Sequence, residues 1–389
     1  MDHTAGPILE IGVLLLAAVL AGWLARRAGL PAVVGYLALG VIVSPFTPGY
    51  VADREQLQLL ADLGVVLLLF EVGIEVDLLR IRAEQRGLFV AAPAQTILTT
   101  VAAGAVFALL GLSVVPAALM GLSVALSSSV VIVNITKSRR RTTDRATEDA
   151  LLGWSALQDS TGVAIAAVLL ALLGVSGRPL EQTFLGLIAF IALAIAVARL
   201  LPIVLRALHA EHDLFLITSV ASGLALAGVG SAVFGVPLAL AAFVGGLAVT
   251  ESAEAAEARR RLLPFRDLFA VLFFVAIGTL IEPDALVRGL GWLALFLALI
   301  VVAKVMVAWG LARAARLPAR PVQLAVGLGQ IGEFSFVLGS AAIAAGAISD
   351  ELYVALDAAV AISIAVSTVV VRLVARQAVA EPDPAAGVA

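Results

Sequence analysis

Long apolar runs recur along the whole chain, separated by short clusters of arginine, glycine and proline. A window of about 20 residues, the length that crosses a bilayer as an α-helix, marks thirteen segments. Their limits are about 7–24, 31–44, 56–76, 87–111, 115–136, 148–173, 180–202, 213–233, 237–250, 265–281, 286–313, 321–346 and 350–375. The second and ninth are short and begin at Pro31 and Pro237, where the first helical turn tolerates proline. The reading is an all-α polytopic membrane protein.

Composition sharpens that reading. Of 389 residues, 62% are hydrophobic and 14% charged, more apolar surface than a water-soluble fold of this size buries. There is no cysteine, which excludes disulfides and thiolate metal sites. The first ten residues carry no Lys or Arg, so they lack the basic region of a cleaved signal, and the first helix is expected to be retained. The net charge of −3 is uninformative because the charges are segregated by loop. No cofactor and no nucleic-acid partner are expected; the expected partner is the bilayer.

Charge placement orients the chain. Loops after odd-numbered segments and the region after the last hold twenty-one basic residues, among them Arg26, Arg27, Arg80, Arg82, Arg86, Lys137, Arg139–Arg141 and Arg259–Arg261. The opposite loops hold Arg54, Arg178 and Arg288. The positive-inside rule then puts the N-terminus outside and the C-terminus in the cytoplasm. The remaining basic residue, Lys304, lies deep in the eleventh segment.

The chain also repeats itself. Asp62, Leu63, Val66, Leu67 and Gly73 precede Asp267, Leu268, Val271, Leu272 and Gly278 by 205 positions, and Pro31, Gly40 and Gly121 precede Pro237, Gly246 and Gly327 by 206. This offset spans seven segments, an odd number, so the halves run in opposite senses through the membrane. Inverted repeats of this kind build secondary transporters. The expected divisions are 1–178, a linker helix at 179–208, 209–376, and a short cytoplasmic tail at 377–389.

Polar residues in the apolar runs are the candidate chemistry. Gln158 and Asp159 lie within LLGWSALQDSTGVAIAAVLLALL; a carboxylate at that depth costs a few kcal/mol or more. It either meets water, a cation or a proton, or glues helices together. The fifth segment holds Ser127, Ser128, Ser129 and Asn134, and the twelfth holds Gln330, Gly332, Glu333 and Ser335. Small and polar residues at that depth predict helices that break mid-membrane, with ends of opposite partial charge that call for buried countercharges. Glu333 suits an exposed helix N-terminus, whereas Lys304 can balance Asp159 or Glu333, exchange a proton, or form a structural pair. Burial favours a carboxylate's protonated form and a nearby cation its ionised form, so proton and cation compete for Asp159. Glu71 and Asp357 are weaker candidates: Glu71 is read as wetted near the cytoplasmic end, and Asp357 as lying at a helix end or lining a vestibule. His209 and His212 read as loop residues.

At these residues the chain resembles the second monovalent cation:proton antiporter family, in its Kef-like branch. The matching stretches are GYLALGVIVSP, LGVVLLLFEVGIEVDL, ALSSSVVIV, LQDSTGVA, LALAAFVGGLAVTES, PFRDLFAVLFFVAIG and GQIGEFSFVL. The resemblance implies thirteen helices in two inverted six-helix repeats with crossed broken helices, a moving core of helices 4–6 and 11–13, and a scaffold that forms a homodimer. It implies exchange of K⁺ or Na⁺ for H⁺ by an elevator-like motion. Asp159 would carry the ion or proton with Gln158, Ser127 and Ser128 around it, Lys304 would be the buried lysine, and Glu333 the carboxylate of the second broken helix. Gln158 before Asp159 resembles potassium-linked members, where sodium exporters carry Asp or Asn. Such members continue into a cytoplasmic nucleotide-binding regulatory domain, and no dinucleotide-binding glycine fingerprint follows here.

A sodium-selective electrogenic exchanger and a ligand-gated K⁺ efflux channel remain open at this level, although no repeated selectivity-filter loop is present. An enzyme is disfavoured: HExxH and GxSxG are absent, and a lone aspartate is poor for acid–base hydrolysis.

Overall fold

The computed structural model describes residues 2–47, 54–75, 87–136, 144–174, 178–208, 210–250 and 255–380. Arg80, Arg82, Arg86, Lys137, Arg139–Arg141 and His209 lie outside them, as does the tail beyond 380. Every apolar segment is helical. In order these are α1 (Asp2–Arg27), α2 (Ala32–Ile42), α3 (Arg54–Glu75), α4 (Leu88–Leu109), α5 (Val114–Ala125), α6 (Ser129–Thr136), α7 (Arg145–Leu173), α8 (Leu180–Ala207), α9 (His212–Ala232), α10 (Leu238–Thr250) and α11 (Ala255–Thr279). Then follow α12 (Pro283–Arg288), α13 (Leu290–Ala314), α14 (Pro321–Gly327), α15 (Phe334–Ala344) and α16 (Asp350–Ala380). Eight of these are long and apolar enough to cross a membrane, and four are shorter apolar helices.

Four segments differ in detail from the hydropathy reading. The fifth and twelfth each break in two, at residues 126–128 and 328–333. The tenth begins earlier, at Ala255, because Glu257 pairs with Arg260 and Arg261 one turn on and carries the helix past its apolar part. The eleventh divides at Gly289, where a Cβ would meet the Glu351 carbonyl oxygen at 2.6 Å, and α13 widens to a π-helix over Ile300–Val305.

The helices form two bundles. In the first, α2 and α3 pack on α10 and α11, with α1 and α9 outside them. Its contacts come as a matched pair. A Cβ on Gly40 would lie 2.6 Å from Gly278 Cα, and one on Gly246 would lie 2.8 Å from Gly73 Cα. Gly40 and Gly246 correspond in the repeat, as do Gly73 and Gly278, so one contact maps onto the other. The backbones touch, and only glycine fits. The second bundle holds α4–α7 and α13–α16, with the two breaks at its centre. Side chains of Ile8, Leu16, Leu185, Ile188 and Ile203 on α1 and α8 are more than half exposed, as lipid-facing surfaces are.

Candidate functional site

The two broken helices cross and bond to each other. Gly332 N–H donates to the Leu126 carbonyl at 3.0 Å, and Ser127 Oγ donates to the Leu328 carbonyl at 2.9 Å. A Cβ on Gly332 would meet the Ser127 carbonyl oxygen at 2.5 Å, so this contact too requires glycine. Ser335 Oγ reaches the Ser123 carbonyl at 3.0 Å, and Ile331 N–H reaches Ser363 Oγ on α16 at 3.0 Å. Broken helices strand backbone groups where no water can serve them, and these bonds recover part of the loss.

Further side chains add to these bonds. Lys304 is fully buried, and its Nζ donates to the Leu126 carbonyl at 2.8 Å and to the Gln330 carbonyl. Those carbonyls lie at the C-terminal ends of the first half-helices, which carry partial negative charge. Lys304 therefore counters helix ends, and Asp159 acts on it electrostatically. The π segment places it there, and Thr99 Oγ takes up the Ala303 carbonyl at 2.7 Å. Glu333 sits at the opposite partial charge. It precedes α15, is 6% exposed, and lies 3.5 Å from Ser129 Oγ at the start of α6.

Gln158 has a different position from an ion ligand. Its Oε1 accepts from Ser127 N–H at 2.9 Å, and its Nε2 donates to the Ala125 carbonyl at 2.9 Å and to Gln95 Oε1. The amide thus closes the first break from both sides. Gln95 also accepts from Trp154 Nε1 at 3.3 Å and approaches Thr99 at 3.1 Å. Gln95 was not among the sequence candidates, although a glutamine among Thr96, Thr99 and Thr100 in an apolar run was the signal. Ser128 Oγ caps α6 by accepting from Val131 N–H at 3.2 Å, so the Ser127 and Ser128 hydroxyls both hold the crossing together.

Asp159, one residue on from Gln158, lines a cavity of about 20 Å³ beside the break, room for about one water. Ser127, Ser129, Glu333 and Phe334 line it from the second bundle, and Leu69, Val72 and Phe243 from the first. The site thus lies on the seam between bundles. A larger cavity of about 560 Å³ follows the same seam toward Asp62, Glu282 and Asp350. Along α3, α10 and α15 the lining passes from the large cavity at Val65, Ala239 and Phe336 to the small one at Leu69, Phe243 and Phe334. Phe336 meets Phe273 and Phe274 edge-on at this level.

The two weaker candidates depart from their expected surroundings. Glu71 is not wetted: it is 1% exposed, accepting from Arg259 Nε and from Arg266 Nη1 at 2.8 Å. It ties α3 to α11 inside the first bundle. Asp357 is not at a helix end either, but two turns inside α16 and fully buried. Among the described residues no group of three or more His, Cys, Asp or Glu is placed to hold a metal ion.

Two crossed, broken helices with buried countercharges, and a carboxylate on the seam between bundles, define an inverted-repeat membrane carrier fold. Residues 15–377 match the family described as "Sodium/hydrogen exchanger, transmembrane", and the chain belongs to that family. It is 33% identical over 362 residues to the putative cation/proton antiporter YbaL of Escherichia coli K12, a match covering 88% of this chain and 64% of that protein. The chain thus spans about two-thirds of that relative's length. Its fold is also that of the sodium proton antiporter MjNhaP1 of Methanocaldococcus jannaschii, solved at pH 8, with a TM-score of 0.74 at 17% identity, covering 96% of this chain and 99% of that one.

Proposed function

We propose that the chain is a secondary active antiporter exchanging a monovalent cation for a proton, with Asp159 as the shared carrier. The observation that carries this is the placement of Asp159 and Glu333 around one water-sized cavity on the seam, while Gln158, Ser127 and Lys304 are bonded into the crossing beside it. A carboxylate in that cavity holds either a proton or a partly dehydrated cation, because each removes the charge that attracts the other. Binding one therefore expels the other, which is exchange.

Gln158 then acts as a positioning residue, fixing the break from which Ser127 and Asp159 face the cavity. Lys304 and Glu333 hold the half-helix ends in their crossed arrangement. The seam supports an elevator-type motion, in which the second bundle slides along the glycine-packed first one. The walls that meet Asp159 from the first bundle are Leu69, Val72 and Phe243, apolar side chains that form no bonds a sliding motion would have to break. Gln158 in place of a second carboxylate favours K⁺ and one-for-one exchange. The arginine distribution favours a cell-membrane protein with its N-terminus outside and its C-terminus in the cytoplasm. Pairing of two copies, and a nucleotide-binding regulatory domain in the same or another chain, follow from the Kef-like resemblance.

The test is proton efflux from acid-loaded proteoliposomes on addition of K⁺ or Na⁺, with membrane potential clamped at several values. A K⁺-triggered, potential-insensitive efflux that Asp159→Asn abolishes is the expected result. A Na⁺-triggered, potential-sensitive efflux would replace the K⁺ assignment and the one-for-one ratio. Cation flux with no proton movement would make a channel the better reading, and full proton flux in Asp159→Asn would remove Asp159 from the site.

A further inference from the structure

Asp357 is a buried acid that the exchange reading leaves unused. Asp350, Tyr353, Val354 and Asp357 follow one face of α16, at positions i, i+3, i+4 and i+7. The first three line the 560 Å³ cavity, and Asp357 lies one turn beyond them, fully buried. Neither of its carboxyl oxygens has a well-formed hydrogen bond. The Tyr353 hydroxyl is the polar group that acts on it, and no charged side chain among the described residues does. Tyr353 Oη in turn lies 3.2 Å from Ser340 Oγ on α15, another residue of the cavity wall.

Glu71, another buried carboxylate of this protein, receives two arginines, both within hydrogen-bonding distance. Asp357 has no such partner. A bare carboxylate in an apolar interior costs many kcal/mol, and the group is neutralised instead. A metal cation would need several oxygens around it, and here the Tyr353 hydroxyl is the side-chain oxygen that acts on Asp357. A proton needs only one.

We propose that Asp357 is a second proton-binding site, separate from Asp159 and loaded from the large cavity through Ser340 and Tyr353. Both hydroxyls donate and accept, so they pass a proton without holding charge. A cavity hydronium gives its proton to the hydroxyl oxygen facing it and becomes water. The Tyr353 hydroxyl hydrogen moves to an Asp357 carboxyl oxygen as Tyr353 accepts its replacement, leaving Ser340 and Tyr353 neutral and Asp357 as the acid. Its use in transport rests on the exchange reading above; its existence as a proton site does not.

The test is infrared difference spectroscopy of the full chain in lipid, reading the carbonyl stretch of protonated carboxyl groups after exchange into D₂O. The expected spectrum contains a deuterium-sensitive band that persists in Asp159→Asn and disappears in Asp357→Asn. Tyr353→Phe should keep the band and slow its deuteration at least tenfold. If Asp357→Asn does not fold, ¹³C-aspartate labelling replaces it: the label should shift this band in the wild type and leave it unshifted in Asp357→Glu. A spectrum in which every protonated-carboxyl band survives loss of Asp357 overturns the site. Deuteration as fast in Tyr353→Phe as in the wild type overturns the route. The band together with uncoupled cation flux would keep the proton site while refuting the exchanger; coupled flux with no such band would do the reverse.

Discussion

The molecule brings backbones into contact at its centre in two ways. In the first bundle, Gly40 meets Gly278 and Gly73 meets Gly246 between helices that run without an internal break. In the second, Leu126 meets Gly332 where both helices have stopped, and the freed groups need Lys304, Gln158, Ser127 and Ser363. The approach is as close in both, but only in the second do the touching segments each break in two, at residues 126–128 and 328–333. A broken crossing concentrates opposite partial charges near the membrane centre, and there a carboxylate can bind and release a cation or proton. Rigidity and chemistry are thus assigned to different bundles.

Four substitutions sharpen that contrast, in decreasing order of expected effect. Lys304→Ala leaves two buried carbonyls without their donor and should lower unfolding stability by about 3–5 kcal/mol, read as the largest fall in melting temperature of the set; unchanged melting would deny Lys304 its role at the helix ends. Gly246→Ala forces α10 and α3 apart and should cost about 1–3 kcal/mol. Exchange by the folded fraction should keep its cation preference, and a changed preference would tie the first bundle to the ion site. Glu333→Gln keeps a hydrogen-bonding side chain near Ser129 and removes the charge at two helix N-termini. A loss of up to about 2 kcal/mol is expected, with slower exchange, and a variant matching wild type in both would break the countercharge argument. Gln95→Leu withdraws one acceptor from Gln158 and one from Trp154, for about 1 kcal/mol. It should slow exchange without altering its proton-to-cation ratio, because Gln158 still holds the break through Ser127 and Ala125.

Hydropathy and arginine placement made the thirteen segments legible, because in a bilayer the length of an apolar run is itself the structural signal. The breaks were legible too: serine and glycine clusters at Ser127–Ser129 and Gly329–Gly332 have few other uses at that depth. The assignment of partners was not. Gln158 stands beside Asp159 in the sequence, which suggests shared ligation, yet successive helix positions point about 100° apart. One side chain therefore enters the break and the other the seam. Lys304 posed the same difficulty, since the π segment at Ile300–Val305 has no mark in a run of Leu, Ile, Val and Ala. Glu71 looked wetted because its arginines, Arg259 and Arg266, lie 188 and 195 positions away.

The paired glycine contacts also bear on how such a chain can be assembled. Gly40 against Gly278 and Gly246 against Gly73 are a single isologous interface that occurs twice, each half of the chain supplying one copy of either side. Two identical half-length chains, inserted in opposite senses, would satisfy both contacts with no further change. The covalent link through α8 adds proximity to that interface, whose paired glycine contacts each half already supplies.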